Sequence, residues 1–158
     1  LQAFSSTCST LVSNMIGEGH QDKVPSLIKR ILKLSYGIVS TMIIIFCLFP
    51  EAIAGIYTDI PDLIRASVPA LVVMCSSYFV NVGGQVFFLA VSGTGSTKTA
   101  FRLELIALTV YMAYCTVIIG ILKLDVAICW TAEHVYAGML LLCSWIYMRS
   151  GRWKNRKI

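Results

Sequence analysis

The chain has 158 residues, of which 57% are hydrophobic and only 13% charged, with a formal net charge of +5 and a mean hydropathy of +0.77. A soluble domain carries about 25% charged residues. Half that share, beside so much apolar side chain, excludes a water-covered globule, because a lipid-facing surface is the kind that rejects charge.

In chain order, Leu1 to Ile16 comes first, apolar but short and rich in Ser and Thr. It reads as the second half of a membrane span that begins upstream. Residues 17–33, "GEGHQDKVPSLIKRILK", form a basic loop in which Pro25 opens an amphipathic turn. Leu27, Ile28, Ile31 and Leu32 lie on one side of it and Lys29, Arg30 and Lys33 on the other, the pattern of an interfacial helix leading into a span.

Four spans are then expected, at 34–49, 68–91, 105–122 and 126–148, each near the roughly 20 apolar residues that cross a bilayer as helix. Between the first two, "YTDIPDLI" sets Asp59 ahead of Pro61 and Asp62, which signals a helix start. No residue between Arg65 and Lys98 is charged. The tail, 149–158, is basic. The fold class expected is all-α, a polytopic membrane helix bundle.

If each span crosses once, the connections alternate sides. Residues 17–33, the stretch "GTGSTKTAFR" and the tail "RSGRWKNRKI" then share one side, with eleven of the thirteen basic residues. Only Arg65 and Lys123 fall on the other. Positive loops stay cytoplasmic, so the tail is expected inside. The net positive charge is accounted for by topology and by attraction to anionic headgroups, without a nucleic-acid partner.

The stretch "AVSGTGSTKTAF", 90–101, has the composition of a phosphate-binding loop. That motif needs a glycine directly before its lysine. Here Thr97 precedes Lys98, and the stretch follows a long apolar run rather than a short strand. The six cysteines occur singly, without a C-x-x-C pair, and read as small apolar helix residues rather than metal ligands. No nucleophile–base pair is evident, so neither an enzyme nor a metal site is expected.

Candidate functional residues are polar groups within spans. Ser77, Asn81 and Gln85 stand at i, i+4 and i+8, with Tyr78 three before Asn81 and Gly83 and Gly84 among them. This spacing makes a stripe on one helix face. It serves either as hydrogen-bonding glue between helices or as the wall of a transport cavity. In the last span Trp130, Glu133, His134 and Ala137 share a face, and Glu133 lies about 12 Å along the helix from Asp125. An ionisable residue there is a candidate ion site by default, or else an interfacial carboxylate paired with His134. Tyr111 and Tyr114 stand at i and i+3 in the third span, and aromatic rings beside a carboxylate suit an organic cation.

Four stretches carry a family resemblance: "LVSNMIGEGHQDKV" at 11–24, "FPEAIAGIYTD" at 49–59, "AVSGTGSTKTAF" at 90–101 and "YMRSGRW" at 147–153. In this order they resemble the MATE family of multidrug and toxic compound extrusion transporters. The resemblance implies a fold of twelve helices in two pseudo-symmetric bundles of six. This chain would supply the end of the eighth helix and helices nine to twelve. The glycine-rich stretch would be the cytoplasmic turn before the eleventh helix, and the N-terminal bundle would be the partner that is missing.

The function implied is expulsion of small organic, cationic compounds across a bacterial cytoplasmic membrane in exchange for H⁺ or Na⁺. No cofactor beyond the coupling ion is expected. Ser77, Tyr78, Asn81, Gln85 and Tyr111 would line the cavity, and Glu133 would be the ion-coupling candidate. The Na⁺-coupled branch often has an acidic residue in the tenth helix, where this chain has none. Two alternatives stand beside this: a lipid-linked saccharide flippase of the same superfamily, which would be expected to carry basic residues inside its spans, and a non-transporting assembly subunit.

Overall fold

The structure is a computed structural model that describes residues 2–154, and of Phe4 only the backbone. Seven α-helices occur among them: α1 (Gln2–Gly17), α2 (Val24–Leu48), α3 (Pro50–Ala54), α4 (Pro61–Gly93), α5 (Thr97–Cys115), α6 (Val126–Cys129) and α7 (Thr131–Arg149). A 3₁₀ turn, Gln21–Lys23, precedes α2, and a π-helical segment, Thr116–Ile121, extends α5. Four helical stretches are long and apolar enough to cross a membrane: 21–48, 61–93, 97–121 and 126–149.

The helices that carry the first two expected spans, α2 and α4, are longer than the spans themselves. Helix α5 starts eight residues before 105, and the span expected at 126–148 is divided at Trp130 between α6 and α7. The helix holding 34–49 starts at Val24, with Pro25 in its first turn, so the amphipathic basic segment and the span are one continuous helix. Pro fits there because the first helical N–H groups have no partner to lose. Likewise α4 starts at Pro61, and the position before it, Ile60, is the N-cap and makes no side-chain cap bond. Proline at the first helical position makes its neighbour the cap whatever that neighbour can offer, so Asp59 is not the cap.

At 33 residues, α4 is roughly 50 Å long against a hydrocarbon core of about 30 Å. It is the central helix. α7, α1 and α2 pack around it, and α5 packs mainly on α7. The crossings are close because the residues at them are small. A Cβ built on Gly84 would fall 2.9 Å from the carbonyl oxygen of Ala137 on α7, and one on Gly93 would strike the Ser9 backbone of α1. Between lipid-embedded helices this close backbone approach replaces the hydrophobic drive that water would supply.

One end of the bundle is sealed by a core from α1, α2 and α4: Cys8, Val12, Ile16, Val24, Ile28, Ile31, Val86 and Ala90. Trp153, from the segment after α7, is part of it and 1% exposed. Its indole N–H donates to the Met148 carbonyl at 2.9 Å. The tail expected at 149–158 therefore begins as a buried anchor. Its last four residues, Arg156 and Lys157 included, lie outside the described residues.

The same end holds the turns after α1 and α4. Gly19, at φ 79°, closes α1 through His20 N–H to Met15 O and Gly19 N–H to Ile16 O, the paired bonds that need a left-handed residue. Gly95, at φ 73°, turns the chain after α4. Among the described residues, the basic side chains of 17–33, 98–102 and 149–154 belong to the segments at this end, and Arg65 and Lys123 do not. The outer faces are apolar and exposed, for example Leu34, Met42 and Ile44 on α2, Leu105 and Met112 on α5, and Leu142 and Ile146 on α7. Such faces belong in lipid.

Candidate functional site

The glycine-rich turn is a structural latch. Thr94 and Ser96 are fully buried. Thr94 Oγ1 donates to the Val91 carbonyl at 2.7 Å, and Ser96 Oγ lies 2.8 Å from the Tyr147 hydroxyl. The turn thus ties α4 to the end of α7 and presents no open cradle to a phosphate.

The polar stripe of α4 divides. Tyr78, Asn81 and Gln85 line one hollow of about 480 Å³ with Gln2 and Ala3 of α1. Asn81 and Gln85 are half-buried and Tyr78 exposed. The hollow offers amide donors and acceptors with one aromatic face, and its lining carries no charge. Ser77 does not line it. Ser77 is 3% exposed and its hydroxyl donates to the Met74 carbonyl at 2.7 Å, since a serine buried in a helix finds its nearest acceptor in its own preceding turn.

Tyr111 and Glu133 meet in a second hollow, about 240 Å³, with Cys129 and Trp130. It lies where α5 faces the junction of α6 and α7, apart from the first. The structure therefore joins Tyr111 to Glu133 and separates both from Asn81 and Gln85. Glu133 is in the first turn of α7, where the helix dipole favours a negative charge. No basic side chain comes within ion-pair distance of it among the described residues.

The aromatic wall extends beyond Tyr111. Its ring stands edge-on to Tyr136, with centroids 5.9 Å apart. Glu104 is half-buried in α5, two turns before Tyr111, and Tyr136 lies within electrostatic reach of both Glu104 and Glu133. Sequence spacing had set Glu104 at the edge of a span. The earlier start of α5, at Thr97, brings it inside the helix. Tyr114 fixes the depth of α5 on α7, its hydroxyl 2.9 Å from Thr131 Oγ1.

His134 turns away from Glu133. Its Nε2 lies 2.9 Å from Ser76 Oγ on α4. Ser76 also donates to the Val73 carbonyl at 2.7 Å, which uses its one proton. The serine oxygen is then the acceptor and His134 Nε2–H the donor. The other ring nitrogen is Nδ1. It is buried and finds no hydrogen-bond partner among the described residues. The expected pairing of His134 with Glu133 is replaced by this bridge. The only signal for it in the sequence was that Ser76 adjoins the polar stripe.

The MatE family model matches residues 1–122. No curated protein and no solved structure matches the chain. The match takes in α1 to α5, and it agrees with the four long apolar helices of an integral membrane protein. The chain belongs to the MatE family, within the MATE superfamily of membrane transporters.

Proposed function

We propose that this chain is part of the C-terminal bundle of an antiporter that expels organic cations in exchange for H⁺ or Na⁺. The observation that carries the reading is the hollow of Tyr111, Trp130 and Glu133: aromatic faces beside a carboxylate that no basic side chain neutralises among the described residues. An organic cation gains from both the rings and the carboxylate. A proton or Na⁺ gains from the carboxylate alone. One acidic group for which two cations compete couples their fluxes, provided it faces the two sides of the membrane in turn.

That alternation is assigned to rocking of this bundle against a second, N-terminal one. The amide-lined hollow of Tyr78, Asn81 and Gln85 then faces the space between the bundles and gives the substrate neutral hydrogen-bonding partners. The basic end, with the Trp153 anchor, lies in the cytoplasm of a bacterial cell.

Cysteines introduced at Asn81 and Gln85 test the cavity. In intact membranes a water-soluble maleimide should label both, and transported substrate should slow the labelling. Silence at both positions would make the stripe helix–helix glue, as an assembly subunit requires.

A further inference from the structure

We infer that the groove between α2, α4 and α7 holds one acyl chain of an anionic phospholipid whose headgroup sits between Lys29 and Arg149. The groove has a volume of about 620 Å³, with Leu32 and Tyr36 on one wall, Gly83 and Phe87 at its floor, and Gly138 and Trp145 on the other wall. It is open to the side and lined by apolar side chains, whose only polar groups are the Tyr36 hydroxyl and the Trp145 indole N–H.

Three observations select the occupant. The first is direction. Gly83 and Phe87 each stand two residues past Asn81 and Gln85, about 200° round α4. The groove therefore opens on the face opposite the polar hollow, which is the lipid side on the reading that the hollow faces the second bundle.

The second is charge. Lys29 is three residues before Leu32, and Arg149 is four after Trp145, so each lies one turn beyond the groove on its own helix. The Arg149 guanidinium stacks over the Trp145 ring at 5.1 Å. This fixes it at the mouth, where a headgroup phosphate would lie. The third is depth. Gly138 to Arg149 spans about 16 Å of helix, close to the roughly 15 Å of one leaflet's hydrocarbon.

Gly138 gives the test, because a Cβ added there meets nothing within 4 Å. Gly138→Leu puts its side chain into the groove from a position where the Cβ has room. Gly37→Leu is the control: a Cβ at Gly37 also meets nothing within 4 Å, and Gly37 is turned about 100° from Tyr36.

The purified full-length protein is loaded with phosphatidylglycerol or phosphatidylcholine of the same acyl chains, and retained lipid is counted by native mass spectrometry. The wild type should retain the anionic lipid about 25-fold better, the size expected of two basic side chains at about 1 kcal/mol each. Gly138→Leu should lose retention of both lipids while Gly37→Leu keeps it. Arg149→Gln should lower the preference to about fivefold, and Lys29→Gln with Arg149→Gln should bring the two lipids level. Equal retention by the wild type, equal behaviour of the two glycine variants, or a preference that survives loss of both Lys29 and Arg149 would each overturn the assignment.

Discussion

Ser76 on α4 and His134 on α7 join the two most closely packed helices of the bundle by a side-chain hydrogen bond of 2.9 Å. Removing Ser76 leaves the half-buried His134 ring without the partner of its Nε2. We expect Ser76→Ala to destabilise the protein by about 1 kcal/mol. His134→Phe should cost a similar amount, and the double variant less than the two together. A double-mutant cycle in detergent, read by thermal unfolding, measures the difference. Strict additivity would mean that the bridge contributes nothing.

Glycines in α4 and α7 should respond oppositely to added bulk. Gly84→Ala puts a methyl 2.9 Å from the Ala137 carbonyl oxygen, an atom of the backbone that cannot turn aside. The helices must part, at a cost of about 1 to 3 kcal/mol. Gly138→Ala meets open space and gains up to about 1 kcal/mol in helix propensity. Unfolding midpoints that move down for the first and level or up for the second are expected. A harmless Gly84→Ala would contradict the close crossing.

Trp153 is expected to matter more than its place near the end of the sequence suggests. It is fully buried among residues of α1, α2 and α4. Trp153→Ala should cost about 3 to 5 kcal/mol and expose the turn after α7 to protease from the side where the basic loops lie. Unchanged stability and unchanged proteolysis would mean that the tail does not anchor the bundle.

The spans were legible in the sequence because hydropathy is a local property, as was the common end of the basic loops. Helix starts were less legible. An amphipathic basic turn and the span after it share one backbone, so nothing at Leu34 marks a boundary, and α2 runs from Val24. The Tyr78, Asn81 and Gln85 grouping followed from helical spacing alone. Ser77 has the same spacing, yet its short hydroxyl is satisfied within its own helix.

Contacts across the chain left no local trace. Ser76 and His134 are 58 residues apart, and Ser96 and Tyr147 are 51 apart. The same holds for the division into two hollows, which depends on α7 lying between α4 and α5. Trp153 sits in a stretch whose charge reads as a solvated tail, and only tertiary packing reveals it as core.

The central claim is that Glu133 binds the coupling cation and the organic cation in turn. The direct measurement is gradient-driven efflux of a fluorescent organic cation from vesicles containing the full-length transporter, with wild type and Glu133→Gln compared at equal protein content. Glutamine keeps the shape of the side chain, replaces one acceptor oxygen by an NH2 donor and removes the charge. The account predicts efflux at least tenfold slower for Glu133→Gln, with insertion and thermal stability unchanged. Equal rates for the two proteins would contradict it and leave Glu133 as a carboxylate that serves only the first turn of α7.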